Sequence, residues 1–471
     1  MSTKSDVVVV GGGVGGLSAA IVLAERGASV TLCEASPFFG GLASSLEAGG
    51  TSFDGGPYIL LDPVGLAWAF EALGMDLDAL ELRRVLDVYE VERSDGPALR
   101  VGSDVEETAR GFDHAYPGQG DHYRRFIERT SRIHAALQPL QSRARPSPWS
   151  LIRAGALQHA PFLLRSLGAV LRGAGFNQEV ADALGIFTHV AGQPLATAPS
   201  PVGLVPAMIS GPGCFVPRDG VATIPLRVLA RAREFGVSLR SGARVDRILC
   251  DARRVTGVRL ASGETITARA VVSDASGVAT LLELADVPDR VRRRVGALPL
   301  QSPGVGAYLL GDEQPRGPYL RFRLESTTPD VPCRLIVRPG ALPDPPSNLH
   351  ARQIRVIAPL AQSVAERLDE GAQDELLDEL LAEPWTRAHV GPFTEAARMT
   401  PARWGRRHTL HRNSMNPVMT AKLMRQGRLP HVIDAPRGLF LVGSSTHPGQ
   451  WVSFCLISGV LGAREVLRSW A

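Results

Sequence analysis

The feature that most constrains this chain is its first fifty residues, where Val7-Val8-Val9-Val10 runs directly into Gly11-Gly12-Gly13-Val14-Gly15-Gly16 and then into a helical pattern. A β-branched tetrapeptide with no polar alternation predicts a strand buried on both faces, as in a parallel sheet. The glycines allow a tight turn and a close approach of the backbone to a pyrophosphate at the N-terminus of the next helix. That helix is carried by Leu17, Ala20, Ile21, Leu23 and Ala24, and a second strand over residues 28–33 ends at Glu34. Glu34 follows Gly16 by 18 residues, close to the spacing at which a carboxylate accepts from a ribose hydroxyl. Strand, turn, helix, strand and acid in this order predict a dinucleotide site made by Gly11, Gly13, Gly16 and Glu34. A glycine turn alone is weaker, because such turns also arise from packing.

The motif by itself serves NAD and FAD alike. Two further glycine turns follow, Gly40-Gly41 and Phe53-Asp54-Gly55-Gly56-Pro57-Tyr58, and three approaches so close together suit a longer cofactor carrying a flavin. FAD is therefore favoured, with Gly40, Gly41 and Gly56 added to its site. Near the other end, Gly438 to Gly443 reads as a short buried strand, Ser444 to Trp451 as a turn, and Val452 to Leu467 as a helix with Ser458, Gly459, Gly462 and Ala463 on one side. A strand, turn and helix again aim backbone amides at an anion, which brings in Gly443, Gly449, Gln450 and Trp451. An ordinary C-terminal βα unit has the same pattern.

Composition narrows the class. The chain has 471 residues, 44% hydrophobic and 21% charged, with a net charge of +4, which suits two or three globular domains. Lysine occurs only at positions 4 and 422, so the basic content is arginine and gives no sign of nucleic-acid binding. Arg292-Arg293-Arg294 and Arg406-Arg407 read first as solvated helix faces; contact with anionic headgroups is the alternative. The five cysteines (33, 214, 250, 333 and 455) form no C-x-x-C pair, so neither a disulfide framework nor a metal site is expected. No apolar run reaches 18 residues, so no spanning helix is expected, nor is a signal peptide, and a cytoplasmic location follows as an expectation.

Along the chain, residues 63–80 read as helix and residues 83–101 as a hairpin around Ser94-Asp95-Gly96. Helices are expected over 123–140, 149–171 and 178–190, and Pro161 to Leu171 presents an apolar face suited to a core or to a bilayer surface. Helix 224–235 and the strands at 238–240, 243–250, 256–260, 265–268 and 271–275 return to the first fold. The runs 305–310, 320–324, 334–337 and 354–358 suit an antiparallel sheet lining a substrate cavity, and 362–381 reads as an acidic amphipathic helix. Arg143 to Pro148 and Pro343 to Ser347 read as proline-rich loops.

These motifs together resemble the bacterial-type phytoene desaturases and their carotenoid-oxidoreductase relatives, FAD enzymes of the amine-oxidase-like group. The points of likeness, in order, are the N-terminal glycine motif, Gly40-Gly41, Phe53 to Ile59 with Asp62-Pro63, Pro217-Arg218-Asp219-Gly220, Val271-Val272-Ser273-Asp274-Ala275, Asn416-Pro417 and Leu439 to Gly449. The resemblance implies an α/β fold: a Rossmann-like FAD-binding domain built from discontinuous segments (1–110, 214–295 and 401–471), a helical substrate or membrane-facing region (111–213) and a substrate-domain sheet (296–400). It implies a backbone contact from Val245 to the adenine and a long apolar small-molecule substrate taken up from a membrane, hence a peripheral membrane contact. Where many relatives carry arginine after the second glycine pair, this chain has Leu42. Where they carry glycine after His-Pro-Gly, it has Trp451 and Phe454, which implies a narrowed tunnel beside the flavin.

Hydride acceptance by flavin needs position, a dry cavity and a partner for the developing charge. His189, in Phe187-Thr188-His189-Val190, is the candidate catalytic residue, with a core histidine as the plainer reading; His447 reads equally as a turn-stabilising group. Three functions stay open at this level: a desaturase of an apolar polyene, terpenoid or polyketide-like substrate, a redox-neutral isomerase or cyclase, and a flavin-binding protein without activity. The first is favoured.

Overall fold

The computed structural model describes residues 3–94, 96–144, 148–251, 253–311, 317–324, 331–339, 342 and 351–471. The Val7–Val10 strand sits in the middle of a six-stranded sheet ordered Ser238–Arg240, Val30–Cys33, Val7–Val10, Ala270–Ser273, Leu439–Leu441 and Val432–Ile433. Its first five strands are parallel and the last is antiparallel. All four valines of the central strand are buried, as an unalternating β-branched run requires when both faces are covered: Val7 and Val9 pack with the helices, Val8 and Val10 with the strands at Val245–Asp251 and Arg254–Leu260. Strands from three distant parts of the chain thus complete one Rossmann-like sheet.

The Val14–Glu25 helix and the C-terminal Val452–Arg468 helix pack on this sheet and on each other. The small residues on the C-terminal helix make the close approach possible. A Cβ at Gly459 would collide with the Gly15 carbonyl and lie 2.7 Å from the Ser18 Cβ. The start of the same helix is tied down by Ser453, whose hydroxyl donates to Asp62 Oδ2 (3.0 Å), while Asp62 Oδ1 caps the Pro63–Ala72 helix through the Gly65 amide (3.1 Å).

A second sheet of seven strands runs Phe393–Met399, Val305–Gly311, Gln353–Ala358, Cys333–Val337, Leu320–Leu324, Asp87–Arg93 and Leu99–Gly102. It contains the four strands expected over 305–358, but it is mixed, since Asp87–Arg93 pairs parallel to Leu320–Leu324. The hairpin expected near residue 95 exists as Asp87–Arg93 against Leu99–Gly102, with Asp95 itself outside the described residues. It joins this second sheet and not the cofactor sheet, because Val88, Tyr89 and Val91 are buried with Leu320 and Phe322 in a core shared with the helical region. Residues 145–147 and 343–347, expected as loops, also lie outside the described residues.

The long helices expected from apolar periodicity are interrupted. Residues 149–171 form Pro148–Arg153, a turn at Ala156–His159, Ala160–Leu163 and Leu167–Gly173; Gly155 at φ 67° and Ser166, capping the Ala169 amide, divide them. The 63–80 helix ends at Ala72 ahead of Gly74, φ +60°. The 362–381 helix breaks at Leu368, with Asp369 restarting it by accepting from the Ala372 amide. Local capping and glycine conformation outweigh the period in each case. Among the described residues no helix is long and apolar enough to cross a membrane.

Candidate functional site

A cavity of about 340 Å³ opens along the C-terminal ends of the cofactor-sheet strands, the edge at which open parallel sheets bind ligands. The parallel register sets it up: Val10 lies opposite Cys33 on one side and Ser273 on the other. The residues that follow these three positions, Gly11, Glu34 and Asp274, all line the cavity. Gly13, Val14 and Gly15 add the helix N-terminus, whose N-cap residue, Gly13, has no side chain of its own to cap the first turn. Gly40 and Gly41 close in from the second glycine turn, with the Gly40 amide donating to the Gly12 carbonyl at 2.8 Å. Gly41 stands so near Gly13 that a Cβ there would lie 3.1 Å from the Gly13 Cα.

Glu34 is buried, and each carboxylate oxygen accepts one amide: Oε2 from Gly12 and Oε1 from Ser36, both at 2.7 Å. A carboxylate has about four lone-pair positions, so the group that shapes the loop keeps acceptor capacity for ribose hydroxyls. Next to it stand Arg244, Val245 and Asp246, brought there by the Ala243 amide bonding to the Glu34 carbonyl at 2.7 Å. Replacing Glu34 by alanine removes both the loop anchors and the ribose acceptor. Glu34→Ala should weaken FAD binding by about 1.5–3 kcal/mol, read from a fluorescence titration of the apoprotein.

Of the residues expected in the cofactor site, Gly11, Gly13, Glu34, Gly40, Gly41, Val245 and Gln450 line the cavity. Gly16, Gly56, Gly443, Gly449 and Trp451 are not part of its wall, and four of them are required for the close packing behind it. A Cβ on Gly16 would strike the Gly11 carbonyl, and one on Gly56 the Leu42 carbonyl. Gly443 has φ +77° and passes the Gly15 backbone, while a Cβ on Gly449 would lie 2.8 Å from the Phe454 ring. Trp451 is the residue before the C-terminal helix, and its ring stacks on Phe454 with centroids 4.8 Å apart; Gln450, Val452 and Cys455 face the cavity instead.

His189 also lies outside the wall. It sits in the short Ile186–Val190 helix with Nε2 buried and unpartnered, and burial lowers its pKa to about 4. Its neighbour Phe187 packs edge-on against Tyr89 and Phe322. His447 donates from Nε2 to the Leu140 carbonyl at 3.1 Å, and burial first lowers its pKa to about 4, so its visible work is to pin the turn to the helical region. The sequence reading missed Asp274 and His408. His408 lines the cavity while stacking on Trp404, and burial, with Arg407 beside it, lowers its pKa to about 3. Only the fold joins these distant residues to Gly13.

The donors fit the ADP part of FAD: the glycine backbone at a helix N-terminus for the phosphates, an acid with spare lone pairs for the ribose, and a strand edge at Val245 for the base. Among the described residues no group of histidine, cysteine and carboxylate side chains is placed to hold a metal ion.

Comparison with known proteins follows the same lines. Residues 9–71 match the NAD(P)-binding Rossmann-like domain. The chain is 30% identical over 311 residues to a zeta-carotene-forming phytoene desaturase of Myxococcus xanthus, an alignment that spans 64% of this chain and 59% of that relative. It is 27% identical to a carotenoid 3,4-desaturase of Haloarcula japonica over 99% of both chains. Among solved structures, a putrescine oxidase variant shares the fold at 16% identity, with a TM-score of 0.65 over 99% of this chain and 100% of the other.

Proposed function

Because the chain belongs to the bacterial-type phytoene desaturase and carotenoid oxidoreductase family, we propose that this FAD-dependent oxidoreductase desaturates an apolar polyene. The observation that carries the reading is the cavity in which Gly13, Gly41, Glu34 and Gln450 meet from both ends of the chain. Bound there, FAD supplies an acceptor for hydride. The chain's own contribution is to hold the cofactor, to present the substrate and to exclude water. In this reading residues 1–110 apart from the Asp87–Gly102 hairpin, with 214–295 and 401–471, serve the cofactor, and that hairpin with 111–213 and 296–400 serves the substrate.

A surface for such a substrate adjoins the cavity. Pro57 lines the cavity, and the next two residues, Tyr58 and Ile59, pack only partly buried against the core shared by the helical region and the second sheet. Phe187, Val190, Ile357 and Trp451 pack against the same core, also with residual exposure. Partly exposed aromatic and aliphatic side chains of this kind suit a polyene and offer few competing polar contacts.

The reading also includes contact with a lipid surface. Among the described residues, four of the seven exposed large hydrophobic side chains, Trp149, Ile152, Leu157 and Leu164, fall within one short stretch, with Trp149 78% exposed. Arg153 and Arg165 are exposed beside them, and Arg425 donates to the Leu164 carbonyl. Tryptophan and leucine next to arginine suit the headgroup boundary. Trp149→Ser with Ile152→Ser should reduce cosedimentation with anionic vesicles about tenfold, a loss of about 1.4 kcal/mol, while vesicle binding equal to wild type would remove this stretch from the interface.

Electron balance tests the function. Protein incubated with phytoene in vesicles and a quinone acceptor should consume one acceptor for each double bond formed. Rearranged polyene without acceptor consumption would replace desaturation by isomerisation.

A further inference from the structure

The cofactor cradle contains an acid of its own. Asp274 follows the Ala270–Ser273 strand, and its carboxylate lies within the glycine loop: a Cβ built on Gly13 would come 2.5 Å from Oδ2, and one on Gly15 would come 2.5 Å from Oδ1. Gly13 and Gly16 flank it, and their amides favour its charged form. These amides belong to the loop and the first turn of the helix, the same donor set that a pyrophosphate uses. Asp274 also reaches the cavity wall, so the two anions would share one nest.

Little positive charge offsets them. Glu34, Asp246, Asp274 and Glu283 line the cavity, whereas Arg244 is the one guanidinium among its described lining residues. Asp246 is paired with Arg259, and Glu283 with His411. Leu42, which follows Gly41 on the wall, brings no charge. Cys33, Cys455 and His408 are the other titratable groups on the wall; burial raises the pKa of both thiols and lowers the imidazole's.

We propose that Asp274 is a neutral carboxylic acid in the cofactor-loaded protein, so that binding the pyrophosphate takes up one proton from solvent. The proposal rests on the FAD reading of the cavity. Two like charges in one low-dielectric site do not both persist, and protonation of the carboxyl removes the conflict. Burial is the main cause that raises the Asp274 pKa to about 7; the Gly16 and Gly13 amides oppose it and Glu34 adds to it. A pyrophosphate beside it acts in the same direction. Affinity is then full below the pKa of the free protein and falls as pH rises through it, because the proton must be supplied at binding.

The test is titration of the apoprotein with FAD between pH 6.0 and 8.5, by flavin fluorescence and by calorimetry in buffers of different ionisation enthalpy. Wild type should bind about 30-fold more weakly at pH 8.5 than at pH 6.0, with proton uptake approaching one at the upper end. Asp274→Asn, which keeps a side-chain acceptor but cannot ionise, should show a flat pH profile and no uptake. A flat wild-type profile without uptake overturns the proposal, and so does an asparagine variant with the wild-type slope. Failure of FAD to bind at any pH would overturn the reading of the cavity as well, and is thereby distinguishable from binding without proton linkage.

Discussion

Gly13→Val should leave the purified protein without FAD, even after reconstitution in excess cofactor, with affinity reduced at least about 100-fold, or about 2.8 kcal/mol. The backbone at Gly13 is ordinary, with φ −71° and ψ 175°, so the constraint is space. A single Cβ would stand 2.5 Å from Asp274 Oδ2, and the valine methyls would occupy the room through which a phosphate meets the loop. Flavin absorbance after gel filtration, with circular dichroism to confirm folding, reads the outcome. A folded variant that retains wild-type FAD occupancy would move the pyrophosphate site elsewhere.

The combined change Trp451→Gly and Phe454→Gly should cost about 4 kcal/mol of stability. The two rings stack at an interplanar angle of 16° and connect two hydrophobic cores: Trp451 packs against that of the helical region and second sheet, Phe454 against that of the cofactor sheet. Removing both cuts this connection and places a glycine in the C-terminal helix. Because the rings touch, the single variants should not sum to the double. Urea unfolding followed by tryptophan-independent circular dichroism measures the loss. Near-wild-type stability together with a wider range of accepted polyenes would show instead that the rings act as a stop in the substrate path.

The cofactor half of the fold was legible because its information is local. Val7 to Val10, the glycine turn and Glu34 lie in one short stretch, and their burial, turn geometry and spacing follow from residue chemistry alone. The small face of the last helix was legible for the same reason, with Gly459 against Gly15 as its realisation. Asp274 was not. Its position beside the glycine loop depends on Ser273 pairing with Val10, a register between distant segments that hydrophobicity does not specify. Trp451 stands outside the cavity wall because a residue's location in a turn does not say which way its ring points; Phe454, one helical turn on, takes the ring as its neighbour. The helices over 149–171 were overextended because period 3.6 persists through Gly155 and Ser166, whose caps break the chain locally.

The central claim, hydride removal from an apolar polyene by the bound flavin, is tested most directly by a single anaerobic turnover. FAD-loaded protein would be mixed with phytoene-bearing vesicles without any other electron acceptor, and flavin absorbance and extracted products followed together. The account predicts bleaching of the flavin band near 450 nm in step with one new double bond per flavin reduced. Extracted polyene that has changed while the flavin stays oxidised, or phytoene recovered intact beside FAD-loaded protein at every substrate concentration, would contradict it.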